Sequence, residues 1–144
     1  MLFRSGQGFI AAAIAAIQAG RGVEIYGANG TVRDYIHVRD VAAGIHGALD
    51  HGRPGEVYNL GTGIGASNRD VLDLLAPLAE ADGHAVRMTQ LPDRRFDVEA
   101  NVLDASKLRA ASGWQPTIPL ADGLSRCWRA ALDRQQRGDA TDGL

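Results

Sequence analysis

Arginines and carboxylates recur at close spacing in two stretches of the chain, NGTVRDYIHVRD from Asn29 to Asp40 and LPDRRFDVEAN from Leu91 to Asn101. In the first, Arg33 and Asp34 follow a glycine turn, and Arg39 and Asp40 follow the apolar run after it. Arg33 can face an anion, while Asp34 can simply tie down the turn. In the second, Arg94, Arg95 and Asp97 lie in a loop after an expected strand. There an arginine fork can hold phosphate oxygens and a carboxylate can accept from ribose hydroxyls; the bland alternative is a solvated charged loop. Tyr26, which ends the strand before the glycine turn, can stack on a base or sit half-buried against its own sheet.

Other groups offer less chemistry. GTGIGA, Gly61 to Ala66, follows EVYNL and opens a helix, so its amides resemble a pyrophosphate cradle. However, the third glycine of the fingerprint is Ala66, and the next strand offers Arg87 where a ribose-reading acid is needed. The loop is therefore read as a glycine turn joining strand to helix. His37, His46, His51 and His84 have no metal-like spacing. Ser67 and Ser106 stand at helix starts, where capping explains them, and Cys127 has no histidine placed to activate it. The expectation is no metal site and no nucleophile.

Composition narrows the class. The 144 residues, 45% of them apolar, suffice for one domain. A net charge of -2 gives no global attraction to nucleic acid or an anionic membrane. One cysteine forbids an internal disulfide and fits a reducing cytoplasm. The run GFIAAAIAAIQAG loses its apolar character at Gln18, far short of the roughly 20 residues a membrane span needs, and is read as a buried helix.

The elements that must position these residues follow from periodicity and punctuation. A helix is predicted over Gln7 to Ala19, stopped by Gly20 and Gly22, then a strand VEIYG and a turn at Ala-Asn-Gly-Thr. DYIHV reads as a second strand, after which Asp40 can cap the helix VAAGIHGALDH. EVYNL reads as a third strand. Ser67 and Asp70 form a capping-box-like start to a helix that Pro77 should kink. A strand at AVRMTQL, a polar segment PDRRFDVEAN, a short helix DASKLRAAS closed by Gly113 and Pro116, and a helix from Leu120 to Arg137 complete the chain. The class is α/β, with few short strands and several helices, as in part of a larger α/β protein.

In that order, IYGANGTVRDYIHVRDVAAGI, GEVYNLGTG, RRFDV, DASK and GWQP resemble the C-terminal half of the extended short-chain dehydrogenase/reductase family, most closely its nucleotide-sugar epimerases and dehydratases of the UDP-glucose 4-epimerase type. The resemblance implies the substrate lobe of a Rossmann-type enzyme, over residues 1–138 with a disordered tail at 139–144. It implies that Arg33 and Arg94 reach the diphosphate of a UDP- or dTDP-sugar, that Tyr26 stacks on the base, and that Asp97 lies near the ribose. Arg95 is left to solvent, and Asp34 and Asp40 become mostly structural.

The family's Gly-x-x-Gly-x-x-Gly cofactor turn and its Tyr-x-x-x-Lys catalytic pair are both missing from these residues: the one lysine is Lys107, and Leu103 stands four positions before it. The expectation is therefore a chain with no catalytic or cofactor-binding residue of its own, whose dinucleotide-binding N-terminal lobe is absent. NAD would belong to the full-length family enzyme, and partners would be the missing lobe or another copy. EVYNL is expected to add to a sheet that the absent lobe supplies. A free-standing binding module without catalysis, or a dehydratase or reductase of the same family, are the alternatives.

Overall fold

The alanines of the first helix let it lie close to the strand that follows. Helix α1 (Phe9–Gln18) buries Ala13, Ile14, Ala16 and Ile17, and β1 (Val23–Tyr26) alternates buried Val23 and Ile25 with exposed Glu24. The computed structural model describes residues 8–94 and 98–136. The further elements are β2 (Val32–Asp34), α2 (Val38–His51), β3 (Gly65–Ser67), α3 (Asn68–Ala81), β4 (Met88–Leu91), β5 (Ala100–Asn101), α4 (Ser106–Ser112) and α5 (Leu120–Gln136). This is the expected α/β arrangement, short in strand and rich in helix.

Two small sheets carry the strands. β1 pairs in parallel with β4, from Val23 opposite Met88 to Tyr26 opposite Leu91. β2 lies between β3, antiparallel, and β5, parallel. The main core joins α1, β1, α3 and α5, with Val71, Leu75 and Ala79 of α3 facing Leu124, Trp128 and Ala131 of α5. Those α5 positions recur at i, i+4 and i+7, the spacing of one helical face. Trp128 also donates its Nε1–H to Asp82 Oδ2 at 2.7 Å, so its polar edge is satisfied although the residue is buried.

A second cluster of Ala105, Leu108 and Trp114, flanked by Ile36, Ala48, Tyr58 and Leu60, ties α2 to α4. Gly44 makes that contact possible: a Cβ there would stand 2.1 Å from Leu60 Cδ2 and 2.9 Å from Trp114 Cε2.

Four local expectations are corrected. The second strand is Val32–Asp34, not DYIHV, because its ladder with β5 ends at the Arg33–Asn101 pair and its ladder with β3 at the Asp34–Gly65 pair. Tyr35 to His37 lead into α2, which begins at Val38, and His37 is its cap, with Nδ1 accepting from Arg39 N at 3.2 Å. Asp40 is consequently inside the first turn and buried. It accepts from Thr117 Oγ1 at 2.9 Å and Ile118 N at 3.0 Å, while its carbonyl takes Trp114 Nε1–H at 3.1 Å. It ties α2 to the crossover before α5 and does not cap its own helix.

EVYNL forms no ladder among the described residues; it is held by Lys107, whose Nζ reaches Glu56 Oε2 at 2.6 Å and Val57 O at 2.9 Å and stands 5.0 Å from the Tyr58 ring centroid. The polar segment after β4 contains β5, which no local signal marked. By contrast the Ser67–Asp70 capping box is present, and α3 runs through Pro77 to Ala81. Arg95, Asp97 and the tail at 139–144 lie outside the described residues.

Candidate functional site

Tyr26 and Arg94 meet at one end of the β1–β4 pair. Tyr26 faces Leu91 across the ladder, and Gly27 N donates to Leu91 O at 2.9 Å, so the chain leaving β4 stays beside the end of β1. Three residues later the Arg94 guanidinium lies over the Tyr26 ring, with Cζ 3.5 Å from the centroid. A planar cation stacked on an aromatic face keeps its in-plane N–H donors free for an anion. Among the described residues Arg94 has no carboxylate partner.

Arg33 comes from the other sheet. It sits in the middle of β2, opposite Ala66 and Asn101, and its Nη1 donates to Val32 O and Val98 O, each at 2.8 Å. Val98 is four residues beyond Arg94, and four residues of chain span at most about 14 Å. Val98, the partner of Arg33, is therefore within that reach of Arg94 along the chain. The turn between β1 and β2 is fixed by α3: Arg69 N donates to Asn29 O at 3.0 Å and Thr31 Oγ1 to Asn68 Oδ1 at 3.3 Å.

Asp34 follows Arg33 on β2. Its Oδ1 accepts from Thr62 N at 2.9 Å and Thr62 Oγ1 at 2.5 Å, and its Oδ2 from Gly63 N at 3.0 Å and Leu103 N at 3.2 Å. Burial alone would raise the pKa of this carboxyl, but the bonds from Thr62, Gly63 and Leu103 outweigh it and hold the pKa below its usual value. Asp34 thus ties down the GTG loop and not its own turn. Gly61 is required for this approach, since a Cβ there would lie 2.6 Å from Asp34 Oδ2 and 2.7 Å from Leu103 Cβ.

The same bonds bear on the dinucleotide question. The amides of Thr62 and Gly63 already serve Asp34, and the loop leads into β3 before any helix begins. The first turn of α3 is closed by its own capping box, with Ser67 Oγ accepting from Asp70 N and Asp70 Oδ2 from Ser67 N. These residues do not fit a pyrophosphate cradle.

Sequence reasoning missed a cavity of about 430 Å³ between β2, the GTG loop and the 115–119 crossover, lined by Tyr35, Thr62, Ile64, Arg109, Gln115 and Ile118 among others. A second, of about 360 Å³, opens on the other side of Thr62 and Arg109 toward Val102 and Asp104. Both are built by contacts remote in sequence, and no local motif announces them. Burial raises the pKa of the Tyr35 phenol at the first cavity, partly offset by the Arg33 charge.

The described residues hold no metal-like cluster, and the sequence carries no Tyr-x-x-x-Lys. Residues 5–127 match the family model described as GDP-mannose 4,6 dehydratase, and the chain belongs to that family, one of NAD-dependent nucleotide-sugar epimerases and dehydratases with the extended short-chain dehydrogenase/reductase fold.

Over 112 residues the chain is 34% identical to the dTDP-glucose 4,6-dehydratase of Streptomyces griseus, covering 78% of this chain and 34% of that one. Over 108 residues it is 40% identical to the UDP-glucose 4-epimerase of Bifidobacterium longum, covering 69% and 31%. The UDP-glucose 4-epimerase of Thermotoga maritima, solved with UDP-glucose, matches with a TM-score of 0.73 at 32% identity over 87% of this chain and 40% of that one. The chain thus spans about a third of the curated relatives it matches, and it corresponds to the C-terminal portion of the solved ones.

Proposed function

We propose that residues 1–138 form the nucleotide-sugar-binding portion of an NAD-dependent epimerase of the UDP-glucose 4-epimerase type. The observation that carries this reading is the stack of Arg94 on Tyr26 at the end of β1, with Arg33 bonded to Val98 four residues further along the chain. In it, Arg33 and Arg94 grip the diphosphate of a UDP- or dTDP-sugar, Tyr26 offers its ring to the base, and Asp97 takes the ribose. Binding a diphosphate there exchanges the Arg33 bond to the neutral Val98 carbonyl for one to an anionic oxygen, which is the stronger of the two.

NAD, which in the family takes a hydride from the sugar and later returns it, is assigned to the part of the fold outside this span. The engaged amides of Thr62 and Gly63 support that assignment. No proton-transfer step is assigned to these residues, and the setting proposed is the cytoplasm. A dehydratase is the second reading, favoured by the match to the Streptomyces griseus enzyme. Both share the grip and differ in what the rest of the enzyme does to the sugar.

Titration calorimetry with UDP tests the grip. Arg33→Ala and Arg94→Ala should each weaken binding about ten- to a hundred-fold, the loss of a charge-assisted bond of roughly 1.5 to 3 kcal/mol. Two folded variants that bind UDP as the parent does, or a folded parent that binds none, would show the assignment to be wrong.

A further inference from the structure

We infer that the cavity between β2, the GTG loop and the 115–119 crossover is a small-molecule site, and that its ligand is a compact carboxylate with an apolar, ring-sized body, seated against Arg109. The inference does not rest on the nucleotide assignment.

Size and lining fit a ligand better than a packing flaw. The cavity holds about 430 Å³. Small-molecule pockets run from roughly 300 to 1,000 Å³ and are walled mainly by apolar side chains with a few placed polar groups. Voids left by imperfect packing, by contrast, seldom exceed a water molecule. Ile64, Ala66, Pro116, Ile118, Pro119 and Leu120 supply the apolar wall here.

The walls are held apart by bonds made behind them. Asp40 fixes the crossover through Thr117 Oγ1 and Ile118 N, and Pro116 and Pro119 restrict its backbone further. Asp34 fixes the GTG loop through Thr62 N, Thr62 Oγ1 and Gly63 N. The hydroxyls of Thr62 and Thr117 are therefore committed to the scaffold. Three polar lining groups are not: the Tyr35 phenol, the Gln115 amide and the Arg109 guanidinium have no hydrogen-bond or ion-pair partner among the described residues. All three can donate to an oxygen.

Charge selects the class of ligand. Arg109 is the one charged residue in the lining of this cavity. The nearby carboxylate, Asp104, lines the second cavity on the far side of Thr62 and Arg109, where its Oδ1 accepts from Ser106 N at 2.8 Å. An anion is thus repelled from the second cavity and drawn to the first. A cation would meet Arg109 there with no carboxylate to receive it. A neutral apolar ligand would bury the three donors without partners, which is costly. One carboxylate matches one guanidinium in a two-bond fork and leaves the rest of the ligand to the apolar wall.

Naphthylacetate and its uncharged isostere naphthylacetamide are the probes, titrated into the chain by calorimetry and by amide chemical-shift mapping. The expected result is one-to-one saturation by naphthylacetate, with the largest shifts at Thr62, Ile64, Gln115 and Ile118. Naphthylacetamide should bind at least about ten-fold more weakly, the loss of a charge-assisted pair. Arg109→Gln should weaken naphthylacetate by the same factor and leave naphthylacetamide unchanged, a difference that general damage to the fold would not produce. The inference is overturned by no saturation up to about 5 mM, beyond the range of a real fragment-sized ligand. Equal affinity for acid and amide, parental binding of the acid by Arg109→Gln, or shifts centred away from the cavity overturn it as well. Displacement of naphthylacetate by UDP would do the same, by making the cavity part of the nucleotide site. UDP titration of Arg109→Gln keeps the two readings apart: its affinity should be the parent's whether or not the carboxylate binds.

Discussion

Replacing Asp34 with Asn tests whether the carboxylate next to Arg33 is what holds the GTG loop and the start of the 103–105 segment. An amide oxygen in place of Oδ1 keeps the bonds from Thr62 N and Oγ1, now as neutral ones. An NH₂ in place of Oδ2 would face the donors Gly63 N and Leu103 N, so both of those bonds are lost. Bonds to a charged acceptor contribute about 1.5 to 3 kcal/mol each, and the site is half-buried, where water can recover part of the loss. The expected destabilisation at pH 7 is therefore about 2 to 3 kcal/mol.

The pH dependence adds a second readout. The folded-state pKa of Asp34 lies below its usual 3.8. The stability it contributes is thus full above the unfolded pKa of about 3.9 and is lost as pH falls through the folded value. Urea unfolding of parent and variant should show the full gap between pH 5 and 7 and a shrinking gap below about pH 4. A gap under about 0.5 kcal/mol at pH 7, or one that does not narrow on acidification, would refute the reasoning.

Gly61→Ala should cost roughly 1 to 3 kcal/mol by overpacking against Asp34 and Leu103, seen as a lower melting temperature. Equilibrium dialysis with labelled NAD should show no saturable site on the chain alone; a stoichiometric micromolar complex lost on Gly63→Val would revive the loop as a dinucleotide cradle. Supplied with UDP-glucose or dTDP-glucose and NAD, the chain alone should neither epimerise nor dehydrate the sugar, whereas turnover after addition of the rest of a family enzyme would support the lobe reading.

What the sequence made legible was local. Ser67 and Asp70 are three residues apart and cap each other, so α3 could be placed from its first turn. Gly113, at φ 71°, ends α4 where a left-handed residue is needed. What it hid depends on partners far along the chain. β2 stops at Asp34 because its ladder with β3 ends there and that with β5 one residue earlier, and β5 is two residues long with no pattern of its own.

Asp40 looked like a cap because it precedes an apolar run, but Thr117 and Ile118, more than seventy positions away, claim its carboxylate. At the site, the meeting of Tyr26 with Arg94 follows from the parallel pairing of β1 with β4, which no single stretch of sequence encodes. Arg33 was legible as a cation beside a turn, and its bond to Val98 was not.

The ammonium of Lys107 has a use beyond anchoring. It is the chain's one side-chain primary amine, and it grips the very segment that lacks a ladder. Acylating it would remove the charge that holds Glu56 and leave a single amide N–H where the ammonium now serves both Glu56 and Val57 O. Amine-reactive chemistry at side chains is thereby confined to a single lever: a half-exposed nitrogen whose modification loosens residues 56–58, and whose rate of labelling reads out how firmly they are held.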